Sequence, residues 1–403
     1  MIHRLLAVTV LLPVCTSIGC SGSNGGTDGN GNENENGTTG QTPSARTPDG
    51  FPTAAKVSFD HVNFLSLEGT IGSSDDIKVY DLGPLSLGDR VESLCIATGD
   101  GGLDPMTALF DADGYRVFWN DDINLATDNF DSAFDGPIRH DSDGYFLAVT
   151  TTSFPPTTTG SFKCTLKLEP GVAVAPLIGQ SVVLQFSGAE DVRVADKGYG
   201  TLPAFAGANV ASEFSSDTTA LMDLIVSLAR EDFARYDVTI STTDDPEPEG
   251  NFTTIFFGTG TTQSIFGIAD DIDFYNSNDM DNAIVFLEAF EGLSSSLDAT
   301  GQALANVVAH EIGHTLGLMH TNDITTLMDT TGADETLLAD QSFGIADIVD
   351  FPIGKQNAPL LLEETLGRAV AKTRTLPDDG LWRCGTCGAT LSLVSGTNPA
   401  TSD

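Results

Sequence analysis

Residues 309–320 read AHEIGHTLGLMH, and no other segment restricts the chain as strongly. His310 and His314 are four apart, so on a helix they leave the same face one turn apart and can hold one metal ion together. Glu311 stands beside the first, about 100° further round the helix, where its carboxylate reaches a water on the ion rather than the ion itself. Gly317 lets the chain leave the helix in a conformation that a side chain would resist, and so turns His320 back as a third ligand. Three neutral imidazoles leave the fourth position of a tetrahedral Zn²⁺ open. A Ser/His/Asp hydrolase is excluded because no G-x-S-x-G elbow is present, and His61 and His140 are expected in surface turns.

The pattern H-E-x-x-H-x-x-G-x-x-H is the signature of the metzincin metalloproteases, and all five fixed positions are filled here. Met328, eight residues after His320 in Thr326-Leu327-Met328-Asp329, resembles the Met-turn beneath the metal in that clan. The resemblance spans residues 171–367. It implies an α+β catalytic domain: a twisted mixed five-stranded sheet with long helices, one catalytic Zn²⁺ on His310, His314 and His320, and endopeptidase activity on extended protein or peptide substrates. Zinc would bring a bound water to a pKa of about 7. Glu311 would take its proton and pass it to the leaving amine. Residues 267–270 would then belong to an edge strand that pairs with substrate backbone. Some subfamilies add a tyrosine ligand two residues after the Met. That position is Thr330, and no Tyr follows Tyr275, so a tyrosine ligand is excluded. Thr321 after the third histidine departs from the best-known subfamilies, which leaves the chain matrixin-like.

Periodicity supports an alternating arrangement after about Val172. Val182–Phe186, Val238–Ile240, Thr253–Phe257 and Ala283–Leu287 read as strands. A helix capped by Ser216 or Asp217 carries Leu221, Leu224, Ile225, Leu228 and Phe233 at helical spacing, and a second helix is predicted over Leu304–Gly317.

Between residues 56 and 170 short alternating runs are separated by Gly and Asp turns, the pattern of an all-β antiparallel sandwich. Residues 103–122 (LDPMTALFDADGYRVFWNDD) and 143–168 resemble the pre-peptidase C-terminal domain of exported hydrolases, some of which bind calcium. Asp104, Asp111, Asp113, Asp121 and Asp122 offer the hard oxygen ligands Ca²⁺ takes, although Asp-Gly clusters equally build turns. Because the zinc ligands and the substrate strand all follow Val172, the sandwich is expected to be accessory, and a chain starting there to keep peptidase activity.

Residues 1–20 read as an export signal, with His3 and Arg4 ahead of an apolar run too short to span a bilayer. The run ends at Ser17-Ile18-Gly19-Cys20, which resembles a lipobox with Ser17 in place of the usual Leu, so Cys20 is the lipidation candidate and plain secretion the alternative. Residues 21–55 are Gly-, Asn- and Ser-rich and form a disordered tether. In an oxidising compartment Cys95 is expected to pair with Cys164, and Cys384 with Cys387 in the extension 368–403, with a zinc-capping cysteine switch at Cys384 or a metal site as the alternatives for the latter two. A net charge of −39, from 18 basic against 57 acidic residues, repels phosphate backbones and anionic lipid. No nucleic-acid partner is expected, contact with membrane only through a lipid anchor, and a monomer. The leading function is therefore an exported zinc endopeptidase, a bacterial cell-surface lipoprotein or secreted enzyme. The competing one is a surface adhesion or carbohydrate-binding lipoprotein whose protease domain is degenerate.

Overall fold

The computed structural model describes residues 47–369, except 100, 125–126, 153–156, 260–264 and 331–333, together with 381–383 and 390–392. The signal, Cys20, the tether up to residue 46, Cys384 and Cys387 lie outside the described residues. The described residues up to Arg368 form one compact unit, and separately Leu381–Arg383 pairs antiparallel with Thr390–Ser392. Among the described residues no helix is long and apolar enough to cross a membrane.

The fold is α+β. Its first part is a two-sheet sandwich. One sheet has the order β1 (Ala55–Lys56), β3 (Lys78–Leu85), β8 (Ser142–Thr151), β5 (Pro105–Asp111), β6 (Arg116–Asn120). The other has the order β2 (Phe64–Ile71), β9 (Gly160–Glu169), β4 (Arg90–Thr98), β7 (Ser132–Pro137). All pairs are antiparallel except β1 with β3. In β2, Leu65, Leu67 and Ile71 turn inward at period two. Cys95 and Cys164 lie opposite each other in the β4–β9 register and are joined as a disulfide in the sandwich core.

From Gln180 the chain builds a second layer. The five-stranded sheet runs β13 (Val238–Thr242), β10 (Gln180–Gln185), β14 (Thr253–Gly258), β16 (Asn282–Phe286), β15 (Gly267–Ala269). The first four strands are mutually parallel and β15 is an antiparallel edge. A hairpin, β11 (Ala189–Val194) and β12 (Lys197–Leu202), packs Val192, Val194 and Leu202 against Ile268, Ile284 and Phe286 of that sheet. On its other face lie α2 (Thr218–Asp232) and α3 (Leu297–Thr315), with α1 (Gly207–Val210) at the side. Close approach of the two long helices needs Gly301, where an added Cβ would lie 2.8 Å from a Leu224 methyl. After α3 come α4 (Asp334–Leu337), the short pair β17 (Ile345–Asp347) and β18 (Lys355–Asn357), and α5 (Ala358–Leu366).

Three expectations need correction. Asp217 occupies the α2 cap position but its side chain makes no capping bond. Helix α3 starts seven residues before the predicted Leu304, capped by Ser296, whose hydroxyl accepts from Ala299 N. The apolar stripe is broken there by Asp298, Thr300 and Gln302, which hid roughly those first two turns.

The third correction concerns the sandwich. Strand β5 is buried along its whole length, because its sheet has two covered faces. Leu109 points into the sandwich core, while Met106, Ala108 and Phe110 point out and pack with Ile272, Met319, Ile348 and Phe351 from the second part of the chain. Strand β8 does likewise, with Leu147 inward and Phe146 and Ala148 outward. The outer face of the sandwich is thus one wall of a core shared with the loop that carries His320, which a chain starting near Val172 would lack.

Candidate metal centre

His310 and His314 sit in the last two turns of α3, buried, with their ring centroids 4.6 Å apart. The helix ends at Thr315. Gly317 follows at φ +89°, and an added Cβ there would meet Asp273 O at 2.9 Å, so both conformation and space require glycine. The chain doubles back and brings His320 within 4.6 Å of the His314 ring.

The ring tautomers follow from the bonds. His310 Nδ1 donates to Leu327 O at 2.6 Å and His314 Nδ1 to Leu318 O at 2.8 Å, which leaves each neutral ring with a bare Nε2. His314 Nε2 lies 3.0 Å from His310 Nε2 and 3.2 Å from His320 Nε2. Three imidazole nitrogens thus converge on one point, where a cation would be held. A tetrahedral zinc ion with Zn–N of about 2.0–2.1 Å spaces its nitrogens about 3.3 Å apart, so the donor set and its spacing fit zinc. Burial also holds the rings in the ligating neutral form. It lowers the His310 pKa, brings His314 down to about 3 and pushes His320 well below the usual range.

Met328 lies under this centre. Its Sδ would be 2.7 Å from a Cβ on Gly313, so the sulfur occupies space that glycine frees between the two helical histidines. The tight turn around it is fixed by Thr321 N donating to Met328 O at 2.8 Å and Asp329 N to Thr326 O at 3.2 Å. That turn also places Leu327 O against His310.

Glu311 is buried and faces the edge strand: a Cβ on Gly267 would lie 2.3 Å from its Oε1. Burial pushes its pKa up to about 8, so its carboxyl holds a proton readily at neutral pH. Strand β15 occupies Gly267–Ala269, with Asp270 just beyond it, and among the described residues no strand pairs with its outer edge. A pocket opens beside His310 and Glu311, walled by Phe266, Val307, Leu327 and Leu337 with Asn306 and Gln341 among them.

Sequence reasoning missed three groups. Arg116, from β6 of the sandwich, is 1% exposed and its Nη2 donates to Gly317 O at 2.8 Å and to Gln356 Oε1 at 3.0 Å. Gln356 in turn accepts from Met319 N at 2.7 Å and donates to Met319 O at 2.8 Å. These bonds brace both ends of the turn that delivers His320, and Arg116 stacks over Phe274 at 4.6 Å. Asp350, buried and pushed up to about 7 by burial, stands 3.8 Å from His320 Nδ1. No local motif announces residues 116, 350 and 356, because only the tertiary fold brings them to His320.

The five aspartates of the sandwich divide. Asp104, Asp121 and Asp122 are buried with carboxylate oxygens within 4.8 Å of one another, and Asp121 Oδ2 accepts from Thr152 Oγ1 at 3.1 Å. Asp111 and Asp113 are at the opposite end of the β5–β6 hairpin, roughly 20 Å away at the rise of an extended strand. There Asp111 Oδ1 shapes the turn by accepting from Asp113 N and Tyr115 N. His140 is no surface-turn residue. It bridges Asp111 Oδ2 at 3.2 Å and Glu364 Oε1 of α5 at 2.7 Å, and these two carboxylates raise its pKa to about 10.

No curated protein matches this chain. Among solved structures, metalloproteinase-II from Bacteroides fragilis is 13% identical with a TM-score of 0.27, covering 49% of this chain and 55% of that one. Archaemetzincin from Methanopyrus kandleri is 12% identical with a TM-score of 0.24, covering 41% and 87%. The pre-peptidase C-terminal domain of a collagenase from Bacillus anthracis is 13% identical with a TM-score of 0.22, covering 30% and 100%. The family profile described as Matrixin matches residues 210–344, and this segment, with its three histidines, Glu311 and Met328, is matrixin-like.

Proposed function

We propose that the chain is an exported zinc-dependent endopeptidase that hydrolyses peptide bonds of extracellular proteins. The matrixin match supports a zinc metallopeptidase in general. What carries the finer reading is the convergence of three histidine Nε2 atoms beside a buried carboxylate that abuts an open strand edge. His310, His314 and His320 would hold the ion. Bound zinc supplies a Lewis acid that acidifies water and polarises the scissile carbonyl.

The protein groups do the rest. The outer edge of β15 offers backbone N–H and C=O groups to an extended peptide, which holds the scissile bond beside Gly267 and Glu311. Glu311, its carboxylate kept ionised by the charge of a bound cation, would take the proton of the attacking water and return it to the leaving amine. The apolar pocket beside His310 takes a substrate side chain next to the scissile bond. Export rests on residues 1–20, with Cys20 as the lipid anchor.

The test is turnover of an unfolded protein by the chain from residue 21 onward, before and after metal removal. Cleavage should stop with a chelator and return with Zn²⁺. Turnover unaffected by the chelator would contradict a metal mechanism, and a zinc-loaded chain that cleaves nothing would favour the adhesin reading.

A further inference from the structure

The segment that follows β17 runs beside the third histidine of the metal centre. Val349 N donates to His320 O at 3.1 Å and Thr321 bridges to Ile348, so residues 348–350 lie along the main chain of 320–321 as a strand would. This segment is anchored on both sides of Asp350. Ile348 and Phe351 are buried in the core shared with the sandwich, and Ile348 N donates to Gly354 O at 3.2 Å. Asp350 itself is 6% exposed. Its Oδ2 stands 3.8 Å from His320 Nδ1, and among the described residues that oxygen accepts no hydrogen bond. The other two histidines differ, since His310 Nδ1 and His314 Nδ1 each donate to a main-chain carbonyl.

We propose that Asp350 is the positioning residue of the third metal ligand, accepting a hydrogen bond from His320 Nδ1 and so aiming His320 Nε2 at the zinc. The inference rests on the zinc reading of the site and adds to it the group that orients His320. A neutral imidazole carries one proton, and a ligating ring must keep it on the nitrogen that faces away from the ion. Leu327 O and Leu318 O do this for His310 and His314. For His320 the acceptor at hand is the Asp350 carboxylate, and a movement of about 1 Å brings the two atoms to the roughly 2.7–2.9 Å of a charge-assisted hydrogen bond. The bond gives a buried oxygen the donor it lacks. It also sets a negative charge behind a ring that faces a divalent cation held by three neutral imidazoles. Acceptors of this kind behind a ligating histidine typically contribute about 10–100-fold to metal affinity. Because Ile348 and Phe351 are buried beside it, the carboxylate is a fixed point against which the ring is set.

The experiment measures zinc affinity of the metal-free chain by competition with a chromophoric chelator, and stability by urea unfolding with and without Zn²⁺. Asp350→Asn should bind zinc about 10–100-fold more weakly than the wild type. Without zinc it should lose no stability, because Oδ2 has no donor to lose. Asp347→Asn, at the end of β17 in an exposed pair with Lys355, should leave zinc affinity unchanged. Equal zinc affinity in wild type and Asp350→Asn would overturn the assignment. So would a loss of stability as large without zinc as with it, which marks a structural role. If Asp350→Asn does not fold, the wild type decides by NMR with ¹⁵N-labelled histidine. In the zinc-loaded chain the His320 Nδ1 proton should exchange slowly with water and resonate downfield of those of His310 and His314, and a freely exchanging proton would overturn the assignment. A wild type that takes up no zinc removes the metal centre and this inference with it, whereas zinc held equally by wild type and variant removes only the role of Asp350.

Discussion

The helix α3 with its following turn and the outer face of the sandwich sheet both shape the same metal centre, yet they are specified in different ways. The first is local. His310, Glu311, His314, Gly317, His320 and Met328 fall within 19 residues, and each side chain's place follows from helical period, a glycine exit and a tight turn. The second is distributed. Arg116 and Met106 to Phe110 reach the His320 loop only because a sheet more than 150 residues earlier in the chain turns its second face toward it. A local motif can supply ligands, whereas rigidity of the ligand turn here comes from a distant layer.

The hardest test of that contrast is to remove the layer. A chain starting near Val172 would expose Ile272, Met319, Ile348 and Phe351 and strip Gly317 O of its Arg116 donor. It is expected to aggregate or to lose turnover, read from circular dichroism and zinc content. Full turnover in a monomeric truncated chain would restore the accessory reading.

A milder version removes one side chain. Arg116→Met keeps volume but leaves Gly317 O and Gln356 Oε1 short of a donor, at a cost of about 1–3 kcal/mol for buried groups left unsatisfied. Urea denaturation should show it, together with weaker zinc binding. Arg90→Met, which breaks an exposed pair with Asp135, should leave the midpoint within error. If the two variants behave alike, the sandwich does not brace the centre.

The gentlest expectation is a slope. The folded pKa of His140 is raised to about 10, so its contribution to stability is fully present below about 6.5, the ordinary value, and is lost as pH rises through about 10. Stability of the wild type should fall across that window relative to His140→Gln, and parallel profiles would show that the Asp111–His140–Glu364 bridge does not couple the two parts.

Legibility followed the same divide. The three histidines, Glu311, Met328 and the strands of the mixed sheet could be read because each is announced within one turn or one strand. Met106, Ala108 and Phe110 looked like ordinary strand residues, since nothing in the alternation of β5 says that its second face is covered. Asp104 and Asp111 looked equivalent on composition, and only the hairpin register separated a buried carboxylate cluster from a turn. His140 was read as a turn residue because its partner Glu364 lies 224 positions away.

The central claim is that Glu311 moves the proton while the three histidines hold the metal. It is tested most directly by measuring zinc content, peptide affinity and kcat on the same preparations of wild type and Glu311→Gln. The account predicts one zinc per chain and similar affinity in both, with kcat lower by about 10²–10⁴-fold in the variant. Equal turnover in the two proteins, with zinc present in both, would contradict it.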